Sequence, residues 1–167
     1  MATPIAPRAW QDNIFSAFGD GWALLTATKP DGTYNTMTAS WGTAGIFWNR
    51  EILTVGIRPE RYTYEFAEAD THLSVSFFDG HREALRICGT KSGRDCDKVA
   101  LAGLTPCFDK AGFVYFREAK TVALTRKLYV ADLAREGFVD TSILEKSYNG
   151  DGLHRLYTCE ILELFQN

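Results

Sequence analysis

What most limits the fold of this chain is a succession of β-competent segments separated by turn residues, with helical patterning inserted at only two places. The stretch GWALLTATKPDGTYNTMTAS is read as a hairpin, because Pro30, Asp31 and Gly32 supply turn chemistry between two such runs. EILTVGIR and THLSVSFF are two further strands, dense in Val, Ile, Phe and Thr. Residues 113–133 predict two or three more, and HRLYTCEILELF closes the chain as a long strand. Short helices are expected over WQDNIFSAF, YTYEFAEAD, GHREALRICG and DKVALAG, and through SILEK with Asp140 or Thr141 as its cap. A parallel sheet would require strand and helix to alternate along the chain. Strands in direct succession instead predict a mainly β protein with short helices, folded as a closed or split antiparallel barrel.

No internal repeat, low-complexity tract or long linker interrupts the 167 residues, so residues 1–167 are expected to form a single domain. With 46% hydrophobic and 23% charged residues the chain can bury a real core. A net charge of -3 and the lack of a basic stripe exclude broad attraction to nucleic acid or to an anionic membrane, so any anion site must be local. No apolar run approaches the roughly 18 residues of a membrane span, and MATPIAPRAW has neither a basic nor an apolar leader region. The expectation is a cytoplasmic protein. Cys88, Cys96, Cys107 and Cys159 form no CxxC pair, and His72, His81 and His154 are far apart. No metal site and no disulfide are expected, and the cysteines are read as small apolar or semi-exposed thiols.

Three stretches carry the chemistry. In NTMTASWGTAGIFWN (35–49), Thr36, Thr38, Ala39, Ser40, Gly42 and Thr43 keep a strand-like segment narrow while Trp41 stands out. Either a second backbone or a ligand approaches closely there. In GIRPERYTYEF, Pro59 ends the strand at Arg58 and places Arg61 in the following turn. Thr63 is then expected to cap a helix beginning at Tyr64, so that two guanidinium groups, a hydroxyl and a helix N-terminus form a compact phosphate-type site. The alternative is that Arg58 and Arg61 pair with Glu60, Glu65 or Glu68 on the surface. In CGTKSGRDCDK, Lys91 and Arg94 flank Ser92 and Gly93, and Asp95 or Asp97 can cap the next helix. This is either a second donor loop or an ordinary glycine-rich turn before a helix, and its spacing is not that of a P-loop. No self-sufficient catalytic constellation is present, which leaves the chemistry to a bound cofactor. Trp10, Trp22 and Trp48 are read as core residues.

NTMTASWG, RPERYTYEF and CGTKSGRDCDK, followed in order by AGLTP (102–106) and GDGLHRLY (150–157), resemble the flavin reductase-like, FMN-binding split-barrel family, close to its flavoredoxin branch. The resemblance runs from about Trp22 onward. It implies an antiparallel six- or seven-stranded FMN-binding split barrel, assembled as a homodimer with FMN near the subunit interface. By the same resemblance Met37, Thr38, Ala39, Ser40 and Trp41 line the flavin ring and ribityl chain. Arg58, Arg61, Tyr62 and Thr63 surround the phosphate, and Lys91, Ser92, Gly93, Arg94 and Asp95 complete the pocket. Gly150 to Gly152 and His154 stand where some relatives hold a nicotinamide. The implied activity is that of an NAD(P)H-dependent FMN oxidoreductase passing electrons to a flavin, a redox protein partner or a small acceptor. The alternatives are a flavoredoxin-type FMN electron carrier without its own nicotinamide site, and a module whose phosphate pocket holds a pyridoxal-type cofactor or haem. Relatives often carry proline where Glu51 follows FWNR, so contacts around Trp48 and Asn49 are not carried over.

Overall fold

The computed structural model describes residues 3–150 and 152–166. Its strands are β1 (Thr3–Pro4), β2 (Ala23–Thr28), β3 (Tyr34–Ala39), β4 (Gly42–Phe47), β5 (Arg50–Ile57), β6 (His72–Phe77), β7 (Pro106–Phe108), β8 (Val114–Phe116), β9 (Thr121–Asp132) and β10 (Arg155–Gln166). The helices are α1 (Ile14–Ser16), α2 (Tyr62–Ala69), α3 (Arg82–Thr90), α4 (Lys98–Leu101) and α5 (Ser142–Ser147). The main sheet runs β3-β2-β6-β9-β10-β5-β4, antiparallel at every step, with β1 added to β10 and β7 paired with β8 as a separate hairpin.

The two ends of this sheet, β3 and β4, are consecutive in the chain and separated only by Ser40 and Trp41. Such a short link brings the edges near each other and curls the sheet. Accordingly Leu25, Met37, Leu53, Val75, Tyr157 and Leu164, drawn from β2, β3, β5, β6 and β10, share one buried cluster. A second cluster, with Leu24, Leu85, Phe116, Val122, Leu124 and Phe165, lies under α3, α4 and the β7–β8 hairpin. Adjacent Leu24 and Leu25 point into different cores, which is why β2 is buried along its whole length and lacks the polar alternation of a half-exposed strand. β9 and β10 slip register between Thr158 and Cys159 and again between Ile161 and Glu163. Bulges of this kind bend long strands and let one pair serve both halves of a barrel.

Several local expectations are changed. The helix over residues 10–18 shrinks to α1 and a π-helical turn at Ala17–Gly21, because Asn13 caps it by accepting from the Phe15 N–H at 3.0 Å. Residues 35–49 are two strands rather than one narrow segment. Gly42, which opens β4, lies against the Phe18 ring, which would overlap any Cβ there. Trp48 is not a core residue: with Asn49 it forms the left-handed turn joining β4 to β5 (φ 51° and 59°), and it is 52% exposed. Glu51, just beyond that turn, pairs with Arg8 at 2.7 Å. Asp140 accepts from the Ser142 N–H at 3.0 Å, while Thr141, at the cap position, makes no side-chain capping bond.

Candidate functional site

The gap between the sheet's edges opens as a cleft of about 360 Å³ lined by Met37, Thr38, Ala39, Ser40 and Trp41, the end of β5 at Gly56, the arginines 58 and 61, and His154. Thr38 and Ala39 lie at the end of β3, an edge strand that among the described residues is laddered to β2 alone, and Ser40 follows it directly. A second cleft of about 180 Å³ shares Met37 and Arg61 with the first and extends past Tyr62, Thr63, Gly89, Lys91, Ser92, Arg94 and Lys98. The two form one elongated site, with a wide part along β3 and a narrow, cation-lined part between α2 and α3.

The sequence-predicted residues divide between these parts. Arg58 faces the wide part, donates to the Ser147 carbonyl at 2.9 Å and lies over the Tyr148 ring at 5.3 Å. Arg61 borders both parts and donates to the Gly89 carbonyl at 3.3 Å. Among the described residues no carboxylate pairs with Arg61. Glu65 is held by Arg94 at 2.5 Å, Glu68 lies 3.6 Å from Arg155, and Glu60 accepts from the Gly152 N–H. Lys91, Ser92 and Arg94 line the narrow part, Arg94 lying 4.5 Å over the Tyr62 ring. Gly93 and Asp95 line neither part, and Gly93 instead abuts the Asn35 carboxamide.

The expected capping role of Thr63 is overturned. α2 begins two residues earlier, at Tyr62 with Arg61 at the cap position, so Thr63 is inside the first turn with its side chain turned inward. It is 1% exposed, and its hydroxyl accepts from Asn35 Nδ2 at 2.7 Å. Its backbone N–H, like that of Tyr62, belongs to the helix start where no preceding carbonyl is in register. Asp97, one of the two offered caps, does accept from the Ala100 N–H at 3.0 Å at the start of α4.

Beside the wide part, His154 packs against Trp41 with ring centroids 5.1 Å apart, and its Nδ1 lies 2.9 Å from the Tyr148 hydroxyl. Burial, reinforced by the Arg58 and Arg61 charges, pushes the imidazole down to about 4, so His154 is neutral at pH 7. Burial likewise raises the Tyr148 phenol, keeping its proton in place. Of the Gly150 to Gly152 stretch, Asp151 lies outside the described residues. Tyr148 and Lys98 are two site residues that sequence reasoning missed. Lys98 had a signal, its place in CGTKSGRDCDK; Tyr148 had none.

The fold and site together define an antiparallel split barrel with a two-part cleft between its edges. The chain belongs to the flavin reductase like domain family, whose model matches residues 15–164. No curated protein matches it in sequence. Solved structures share its fold. The flavoredoxin of Methanosarcina acetivorans has a TM-score of 0.68 at 19% identity, covering 88% of this chain and 68% of its own. An FMN-binding domain of a flavin reductases-like enzyme from Shewanella baltica has a TM-score of 0.68 at 16% identity, covering 99% and 77%. An NADH:FAD oxidoreductase of Streptomyces globisporus has a TM-score of 0.65 at 13% identity, covering 88% and 75%. Among the described residues no helix is long and apolar enough to cross a membrane.

Proposed function

We propose that the two-part cleft binds FMN, with the ring system along residues 37–41 and the phosphate in the narrow part, and that the protein is an NAD(P)H-dependent flavin reductase-like oxidoreductase. The observation that carries this reading is the continuity of a wide part walled by small side chains and Trp41 with a narrow part lined by Arg61, Lys91 and Arg94. The fit is chemical as well as spatial. Thr38, Ala39 and Ser40 leave room for a flat aromatic body, Trp41 offers it a face, and the cations answer a phosphate. The N–H groups of Tyr62 and Thr63 add the positive end of α2 to the same place.

Bound FMN would supply hydride acceptance from a reduced nicotinamide and onward electron transfer to a flavin, a redox protein or a small acceptor. The chain's own residues position the ligand and exclude water. No side chain is required as acid or base, and neutral His154 contributes a polar edge beside Trp41 for the nicotinamide. A reducing cytoplasm suits the four cysteines, all of which are free thiols.

We also propose that the protein is a homodimer through the outer face of β4. Ile46, Phe47, Trp48 and Tyr129 are each more than half exposed, and Trp48 meets Phe47 at 4.6 Å and Tyr129 at 6.2 Å edge to face. Aromatic groups left open in this way are characteristic of subunit interfaces.

A second reading, a flavoredoxin-type carrier with no nicotinamide site of its own, is favoured by one feature. Trp41, Tyr148 and His154 are packed on one another at 5.1 to 6.2 Å, and a nicotinamide entering there would have to part them. Anaerobic mixing with NADH or NADPH separates the two. Bleaching of bound flavin within seconds supports the reductase, and no bleaching over minutes refutes it. A colourless preparation that neither carries nor takes up FMN overturns both.

A further inference from the structure

The narrow part of the cleft has an electrostatic difficulty. It borders the C-terminal end of α3, where unpaired carbonyls carry about half a negative charge and oppose a phosphate. The chain ties these carbonyls down one by one. Just before them the Thr38 hydroxyl donates to Leu85 O at 2.5 Å and the Thr90 hydroxyl to Arg86 O at 2.8 Å, and of the last four carbonyls that of Ile87 accepts from the Lys91 N–H at 2.9 Å. Arg61 donates to Gly89 O, and the Cys88 and Lys91 carbonyls both accept from Lys98 Nζ at 3.2 Å.

Lys98 is unlike the other cations of the site. It is 5% exposed, whereas Lys91 and Arg94 are on the surface, and Arg94 is held by Glu65. No carboxylate pairs with it among the described residues. Two of its three N–H groups serve the carbonyls, and the third has no acceptor among the described residues although the side chain lines the cleft. A buried, uncompensated ammonium is costly unless something answers it. Burial and the nearby Arg61 both lower its basicity, the direction an arriving anion would reverse.

We infer that Lys98 is the specificity-determining residue for the phosphate monoester: it cancels the negative end of α3 and offers its remaining N–H to the ligand, so that the chain selects FMN over riboflavin. This rests on the reading that the cleft holds FMN. A lysine that only braced the 88–91 backbone could be replaced by Lys98→Gln, whose amide still donates to those carbonyls, without loss of FMN preference, whereas a charge that answers the phosphate could not.

The test is a fluorescence titration of FMN and of riboflavin against wild-type protein and Lys98→Met, with melting curves run alongside. Wild type should prefer FMN, and Lys98→Met should lose about tenfold or more in FMN affinity while riboflavin affinity stays within about twofold. Where Lys98→Met does not fold, Lys98→Gln retains an amide able to donate to the carbonyls while removing the charge, and the same loss of preference is expected. A variant that keeps the wild-type FMN preference, or loses affinity for both flavins equally, overturns the role of Lys98 and leaves the FMN reading intact. A wild type that binds neither flavin overturns the FMN reading itself.

Discussion

Replacing Thr63 by valine preserves the shape of the side chain and removes the hydroxyl that accepts from Asn35 Nδ2 at 2.7 Å. With Thr63 1% and Asn35 6% exposed, water cannot take its place. The carboxamide is seated against the Gly93 backbone, its Oδ1 filling the space a Cβ there would take. The substitution therefore leaves a buried amide N–H unpaired, at a cost of about 1–3 kcal/mol. With a urea slope of about 2 kcal/mol/M, the unfolding midpoint of ligand-free Thr63→Val should fall by about 1 M. Working without flavin keeps ligand-linked stability out of the comparison. Thr63→Ser, which keeps the acceptor, should fall by less. FMN affinity of folded Thr63→Val should change by less than about threefold, since the side chain is 1% exposed and turned toward Asn35. An unchanged midpoint together with an affinity loss of about tenfold or more would make Thr63 a phosphate ligand and refute the structural role.

Three further outcomes are expected. The folded-state value of His154 is depressed to about 4 from 6.5, so in this window the unfolded chain holds a proton that the folded one does not. Stability should therefore fall as pH drops from 6.5 toward 4, and the advantage of wild type over His154→Gln in urea should shrink over that range; a constant difference contradicts it. Gly42→Ala drives a methyl into the Phe18 ring, which is 2% exposed, and should cost about 1–3 kcal/mol in urea unfolding, whereas a wild-type midpoint would show that the ring yields freely. Trp48→Asp should convert the proposed dimer to monomer by light scattering with the far-UV spectrum unchanged, and retention of the dimer mass would remove β4 from the interface.

The strand pairs most legible in the sequence are those with turn chemistry or dense β-branching. Pro30, Asp31 and Gly32 gave away the β2–β3 hairpin, and the Val, Ile and Phe density of β5, β6 and β10 marked those strands. β4 was hidden because Gly42, Thr43, Ala44 and Gly45 have too little side chain to show any period, and because Trp48 and Asn49 make a left-handed turn without glycine. In the site, residues 38–41 and Arg61 were visible from type and spacing and Met37 only through the family resemblance, and the structure gathers them into one cleft. Thr63 was misread because a two-residue shift in a helix start turns a side chain by about 200°. Lys98 looked like an ordinary lysine at the start of a helix. Its burial is imposed by the Cys88 and Lys91 carbonyls, which local sequence does not bring to it. Tyr148 is likewise fixed by Arg58 and His154 across the fold.

The walls of the cleft differ in how firmly they are held. His154 immediately precedes β10, which is laddered on both flanks by β5 and β9, whereas residues 37–39 belong to β3, which among the described residues is laddered to β2 alone. Amide hydrogen exchange should accordingly be slow along β10 and faster at β3, with ligand slowing the latter more. The same asymmetry predicts that a ligand enters and leaves by yielding of the β3 side, tied to α3 through the Thr38–Leu85 bond, while the histidine side stays put as an anvil.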